Sequence, residues 1–316
     1  MRINQLPIVL LLSMNMLIAG CSDRTRKDEL SANSKPADTV RYEYASYEEG
    51  AKLFAELNYT PEAWQSGVRE IPNLRIARVP DRWRNKTSNE IEVKLKKQIF
   101  FRIIAPLALS VSKEIESDRE ELKQFMDKGF SGLSEDEMKR LKQMAVDYKV
   151  INSDADLKED DLNELWSRVD IVPLSLVLAQ SAEESGWGTS RFAAEGNALF
   201  GQWAWGKDAI KPKEQRSGKG DYGIARFDTP LESMRAYMMN LNSHSAYADL
   251  RKARAELRKQ GRKPDGVTLA KTLTRYSERG QEYVSTLLSL MDVNQLAPTD
   301  EAYLKEDPVI LFIPVD

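Results

Sequence analysis

Apolar residues recur every third or fourth position over most of this chain, the spacing of amphipathic helices, and the interruptions divide it into segments. Between residues 22 and 39 Ser, Asp, Lys and Arg dominate with almost no apolar residue, which predicts a flexible tether. A short helical pattern occupies residues 48–59. Pro61, Pro72 and Pro80 then punctuate an irregular stretch, whose Arg75-Ile-Ala-Arg-Val79 run is expected to wrap the main body. Over residues 94–123, Ile99, Ile103, Leu107 and Val111 fall about a turn apart and predict one or two long core helices bent near Pro106. Ser134-Glu-Asp-Glu137 has the form of a capping box and starts another helix. Helical periodicity returns over 230–242, 247–260 and 268–291, and there is no internal repeat. Between these lies one change of period. Alternation on either side of Ser217-Gly-Lys-Gly220 predicts a β-hairpin lobe. The pattern as a whole predicts a mainly α chain of α+β type.

The run from Val172 to Gly188 is the most informative. Pro173 suits a first helical position and Gly186 a left-handed stop, so a helix is expected over 173–185. At about 100° per residue, Leu174, Val177, Leu178, Ser181 and Ser185 form one stripe that should face the core. Glu183 points away from that stripe, whereas Glu184 sits at its margin. A carboxyl group there, at the negative end of the helix dipole, is harder to ionise, which suits a general acid. The pattern alone is equally compatible with two solvated helix-end charges.

Ala179-Gln-Ser-Ala-Glu-Glu-Ser-Gly-Trp-Gly-Thr-Ser190, followed by Asn197-Ala-Leu-Phe-Gly-Gln202, resembles the signature of the peptidoglycan glucosaminidase family, in particular its Bax-like branch. The resemblance covers residues 161–296, with a weaker likeness over 101–121. It implies a lysozyme-like helical domain that cuts the β-1,4 bond after N-acetylglucosamine in cell-wall glycan, with Glu184 as the catalytic acid. The chain then divides into a signal (1–20), a lipidated tether (21–40), an N-terminal helical region (41–160), a catalytic domain (161–297) and a C-terminal tail (298–316).

The leader changes the picture of location. One positive charge, Arg2, precedes an apolar run over residues 6–17 that is too short and too interrupted for a membrane span. Ile18-Ala-Gly-Cys21 resembles a bacterial lipobox, and one cysteine in an exported chain has no internal disulfide partner. Cys21 is therefore the expected lipidation site, with Ser22 favouring the outer membrane and the body facing the periplasm. Removing residues 1–20 takes one basic and no acidic residue from a chain with 46 basic and 49 acidic ones, so no basic face for nucleic acid is expected.

One histidine and one cysteine in the whole chain leave little room for zinc or thiolate chemistry, so no metal or cofactor is expected. His244, between two helical patterns, is read as a surface or capping residue. Carboxylate chemistry remains, and glycoside hydrolysis runs on two carboxyl groups without a cofactor. Related glucosaminidases carry a base on the hairpin lobe, which makes Glu214 the candidate for activating water and Asp221 the runner-up. Aromatic side chains pack on sugar faces, so the cluster Trp187, Phe200, Trp203 and Trp205 offers candidate substrate-binding residues or core packing, and the family resemblance implies that Tyr276 lies near the cleft, its hydroxyl orienting substrate or its ring buried in packing. Asn197 either hydrogen-bonds an N-acetyl group or holds its turn. A lytic transglycosylase or muramidase and a non-catalytic glycan-binding lipoprotein are the rival readings, although the Gly-Leu-Met-Gln usual in the former is replaced here by Asn197-Ala-Leu-Phe-Gly201.

Overall fold

The structure, a computed structural model, describes residues 39–213, 222–306 and 308–315. It begins with β1 (Val40–Tyr44), α1 (Tyr47–Glu56), α2 (Pro61–Gln65), β2 (Glu70–Ile71) and β3 (Leu74–Ile76). A π-helical turn (Trp83–Thr87) runs into α3 (Ser88–Glu90), and then comes α4 (Val93–Lys128). The middle of the chain holds α5 (Glu135–Asp147), α6 (Asp161–Arg168), α7 (Leu174–Ser185), α8 (Arg191–Gly196) and the lobe strands β4 (Trp203–Trp205) and β5 (Tyr222–Ile224). After them follow α9 (Pro230–Ser243), α10 (Ala248–Lys259), α11 (Gly266–Ala270), α12 (Gln281–Val293), β6 (Tyr303–Leu304) and β7 (Ile310–Pro314). The fold is mainly α, a lysozyme-like helical domain with a small antiparallel lobe.

The segment over 94–123 is part of one helix, α4, which passes through Pro106 without ending. A helix-interior proline costs about 3 kcal/mol. Burial of Phe100, Ile104, Leu107 and Val111 on the same helix outweighs it, at roughly 1.5–3 kcal/mol each. Ser134 and Glu137 form the expected capping box: Ser134 Oγ accepts from the Glu137 N–H at 3.3 Å and Glu137 Oε2 accepts from the Ser134 N–H at 2.9 Å.

Two expectations need revision. Residues 298–316, read as a tail, contain β7, which lies between β1 and β3 in a parallel three-stranded sheet with Val40 and Leu74 both opposite Ile310. Phe312 is the reason: its ring is buried, stacked on Tyr44 at 3.8 Å and packed against Phe54. The N-terminal region likewise is not only helical. Its three strands share a continuous apolar core with α7.

The second revision concerns α7. It buries every residue from Leu174 to Ala182 rather than one stripe, because α4, α11, α12 and the 3-10 turn at Ala297–Glu301 all pack against it. Its N-terminus borrows a cap from far along the chain. Asp300 accepts from Ser175 N at 2.8 Å, Ser175 Oγ at 2.9 Å and Gly266 N at 2.9 Å, so one carboxyl group caps both α7 and α11. Gly266 is required for this approach, since a Cβ there would come within 2.1 Å of Ser175 Oγ.

Candidate active site

Glu184 occupies the last turn of α7, directly before a tight reversal. Gly186 ends the helix at φ 57°, ψ 47°, and Trp187 and Gly188 continue with φ 63° and 76°. Ser185 ties the turn, since its Oγ donates to Ser181 O at 2.6 Å and accepts from Gly188 N at 2.8 Å. Thr189 Oγ1 donates to Gly186 O at 2.7 Å. The Glu-Ser-Gly-Trp-Gly sequence is thus a turn whose serine and glycines each meet a backbone requirement.

The carboxyl group of Glu184 is backed by a chain of buried polar groups. Tyr237 Oη donates to Gln180 Oε1 at 2.6 Å, Gln180 Nε2 donates to Tyr283 Oη at 3.0 Å, and Tyr283 Oη donates to Glu184 Oε1 at 2.7 Å. All three hydrogen bonds run in the same direction, toward Glu184. Burial pushes the Glu184 carboxyl up to about 8, against the pull of the Tyr283 hydroxyl; the neighbouring Glu183 charge raises it further and Arg279 lowers it. Glu183 is occupied elsewhere, paired with Arg279 Nη1 at 2.6 Å. Geometry therefore separates the two adjacent glutamates: Glu183 belongs to an ion pair, and Glu184 holds a proton near neutral pH.

The predicted substrate-binding residues divide in their placement. Phe200 and Tyr276 are buried behind the hydrogen-bonded chain rather than facing a cleft. Phe200 stacks on Tyr237 at 3.8 Å and Tyr276 on Tyr283 at 5.3 Å. Trp187 is half-buried, with its ring edge-on to Phe100 and Phe101 and Lys97 Nζ 4.9 Å from its centre. Asn197, left-handed at φ 51°, commits its amide to the backbone: Oδ1 accepts from Val79 N, and Nδ2 donates to Phe227 O and Asp228 O, each at 3.0 Å. It holds the turn. Trp203 is buried in the lobe against Tyr222 at 4.5 Å, while Trp205, two residues on, is 45% exposed. His244 caps a turn, its Nδ1 accepting from Ala246 N at 3.1 Å. Cys21, Glu214 and Asp221 lie outside the described residues.

Gln180, Tyr237, Tyr283 and Arg279 were missed by sequence reasoning. Gln180 was within reach, being one turn before Glu184 on the same helix face. Tyr237 and Tyr283 are 57 and 103 residues from Gln180, and periodicity gives no sign of that convergence.

A part-buried carboxyl group at the end of a central helix, held by a tyrosine hydroxyl in a helical fold with a small β-lobe, fits a glycosidase of lysozyme-like build. Residues 159–296 match the family model of the glucosaminidases, described as mannosyl-glycoprotein endo-beta-N-acetylglucosaminidase. Protein bax of Escherichia coli (strain K12) is 35% identical over 201 residues, which span 63% of this chain and 70% of that protein. No solved structure matches. The chain belongs to the glucosaminidase family, in the neighbourhood of the Bax-like proteins.

Proposed function

We propose that this protein hydrolyses the β-1,4 bond after N-acetylglucosamine in peptidoglycan glycan strands, with Glu184 donating the proton to the leaving oxygen. The observation that carries the reading is the Glu184 carboxyl group itself, part-buried, pushed up to about 8 and fixed through one oxygen by Tyr283. Among the described residues no hydrogen bond engages Oε2, which leaves that oxygen free to present the proton. Family membership supports glycoside hydrolysis, and the family's description as an endo-beta-N-acetylglucosaminidase supports the N-acetylglucosamine side of the bond.

The second group in this proposal is Glu214, with Asp221 as the alternative. Both belong to the segment joining β4 to β5 in sequence and lie outside the described residues. For an inverting reaction the carboxyl groups would stand roughly 6.5–9.5 Å apart with substrate bound, leaving room for a water. If the substrate's own N-acetyl group attacks instead, Glu214→Gln has a mild effect. Trp205 is the aromatic face offered to a sugar ring. Among the described residues, neither amide atom of the buried Gln202 nor the Trp203 indole N–H has a hydrogen-bond partner, which leaves polar groups in the lobe to meet water or glycan.

Muropeptide mass spectrometry after incubation with purified glycan tests the reading. Reducing N-acetylglucosamine ends are expected; anhydro-N-acetylmuramic ends would transfer the protein to the transglycosylases, and no product would leave a glycan-binding role. Glu184→Gln should lose roughly 10²–10⁴-fold in rate. The cellular setting in the same proposal is a lipid anchor on Cys21 that holds the body in the periplasm at the outer membrane. Cys21→Ala should then abolish fatty-acid labelling and membrane fractionation, and labelling that survives would refute the anchor.

A further inference from the structure

Three consecutive residues with positive φ follow the helix that carries Glu184, and the middle one is a tryptophan. Glycine adopts that conformation freely, whereas a bulky aromatic residue does so only where its surroundings impose it. Those surroundings come from outside the residues matched by the family model, which begin at residue 159. Trp83, in the π-helical turn, donates its indole N–H to Trp187 O at 2.9 Å. Gly188 lets the indole approach, because a Cβ there would meet Trp83 Nε1 at 3.2 Å. The Trp187 ring is seated by Phe100, Phe101 and Lys97 of α4.

The same segment makes a second tie. Val79 N donates to Asn197 Oδ1 at 3.0 Å, gripping the Asn-Ala-Leu-Phe-Gly loop. Arg82, next to Trp83, donates from Nη2 to Val315 O at 2.7 Å and to Tyr44 O at 3.1 Å, which fixes the segment to the parallel sheet. A continuous mechanical path thus runs from the sheet through Arg82 and Trp83 to the residue three positions after Glu184.

We propose that Trp83 is a positioning residue for Glu184: the strap over residues 79–87 holds the Gly186-Trp187-Gly188 turn in its strained form, and thereby fixes the end of α7 from which the acid projects. The inference rests on the glycosidase reading above. A displacement of catalytic geometry by about 1 Å, caused by a change away from the chemistry, can cost on the order of 10²-fold in rate.

The test compares Trp83→Phe, which keeps an aromatic side chain, smaller by the pyrrole ring, and removes the donor, with Trp64→Phe, the same change at a tryptophan of the N-terminal region that stacks under Arg69. On purified glycan, Trp83→Phe should lower kcat about tenfold or more with KM within about twofold, and Trp64→Phe should keep the wild-type kcat. Hydrogen exchange across residues 182–190 should accelerate in Trp83→Phe only. Wild-type kcat and wild-type exchange in Trp83→Phe would overturn the proposal, as would equal losses in the two variants. Should Trp83→Phe fail to fold, Arg82→Gln leaves both tryptophans and unhooks the strap; a smaller loss confined to kcat is expected, and an unchanged kcat overturns the proposal. If the wild-type protein releases no sugar ends, the proposed function fails, while the exchange measurement still decides whether Trp83 holds the turn.

Discussion

Replacing Tyr283 by Phe removes a single hydroxyl while preserving the ring that stacks on Tyr276, so it isolates the hydrogen bond donated to Glu184 Oε1 over 2.7 Å. That bond favours the ionised carboxylate and opposes the upward push of burial. A hydrogen bond to a charged group contributes about 1.5–3 kcal/mol. At 1.36 kcal/mol per pKa unit, its loss should carry the Glu184 carboxyl upward by roughly one to two units from about 8. A general acid works only while protonated, so wild-type kcat should fall as pH rises through about 8. In Tyr283→Phe this alkaline limb should move to higher pH, while the plateau drops because the acid is no longer held through one oxygen. The assay is release of reducing ends from purified glycan between pH 5 and 10. An alkaline limb that stays in place or moves down would refute both the direction of the hydrogen bond and the role of Glu184 as the proton donor.

Glu184→Gln should be stabilising as well as inactivating: the unfolded carboxyl ionises near 4.5 and the folded one at about 8, so the wild-type fold loses stability as pH climbs between these values. The melting-temperature gap between Glu184→Gln and wild type should widen from pH 5 to pH 9, and a constant gap would contradict the raised pKa. Asp300→Ala removes the side-chain cap of α7 and one bond to the first turn of α11, which keeps its own cap at Asp265, and should cost roughly 1–4 kcal/mol in urea denaturation at pH 7, with α7 losing more protection from amide exchange than α11. Asn197→Ala loses three backbone-directed hydrogen bonds of about 1 kcal/mol each, and a substrate affinity that collapsed without loss of stability would return Asn197 to the glycan. Glu214→Gln and Asp221→Asn measured side by side assign the second carboxyl group, since the inactive member of the pair holds the role.

What the sequence revealed were features governed by short-range rules. Gly186 as a left-handed stop, the Ser134–Glu137 capping box and the inward bias of Glu184 over Glu183 all depend on neighbours within a turn or two, and all are found in the structure. The aromatic residues were harder, because composition identifies a tryptophan without saying which side of a three-residue strand it takes. Alternation alone makes Trp203 and Trp205 equivalent, and packing against Tyr222 decides that Trp203 is the buried one. For Phe200 and Tyr276 sugar contact and packing were both open, and the structure shows them backing tyrosines at 237 and 283 that only tertiary contact brings together. The strand at 310–314 escaped notice because five residues are too few to establish a period.

That strand also imposes an order in time. A ribosome delivers roughly 5–20 residues per second, and β1 and β3 emerge more than 230 residues before the strand that joins them. For an interval on the order of tens of seconds the two early strands have no shared partner, and pairings between residues so far apart are slow to form. The anchorage of Arg82 at Val315 completes in the same step. Chain order therefore makes closure a late step: α7 with its acid precedes β7 by more than 120 residues, and the frame that holds its final turn closes only after β7 arrives.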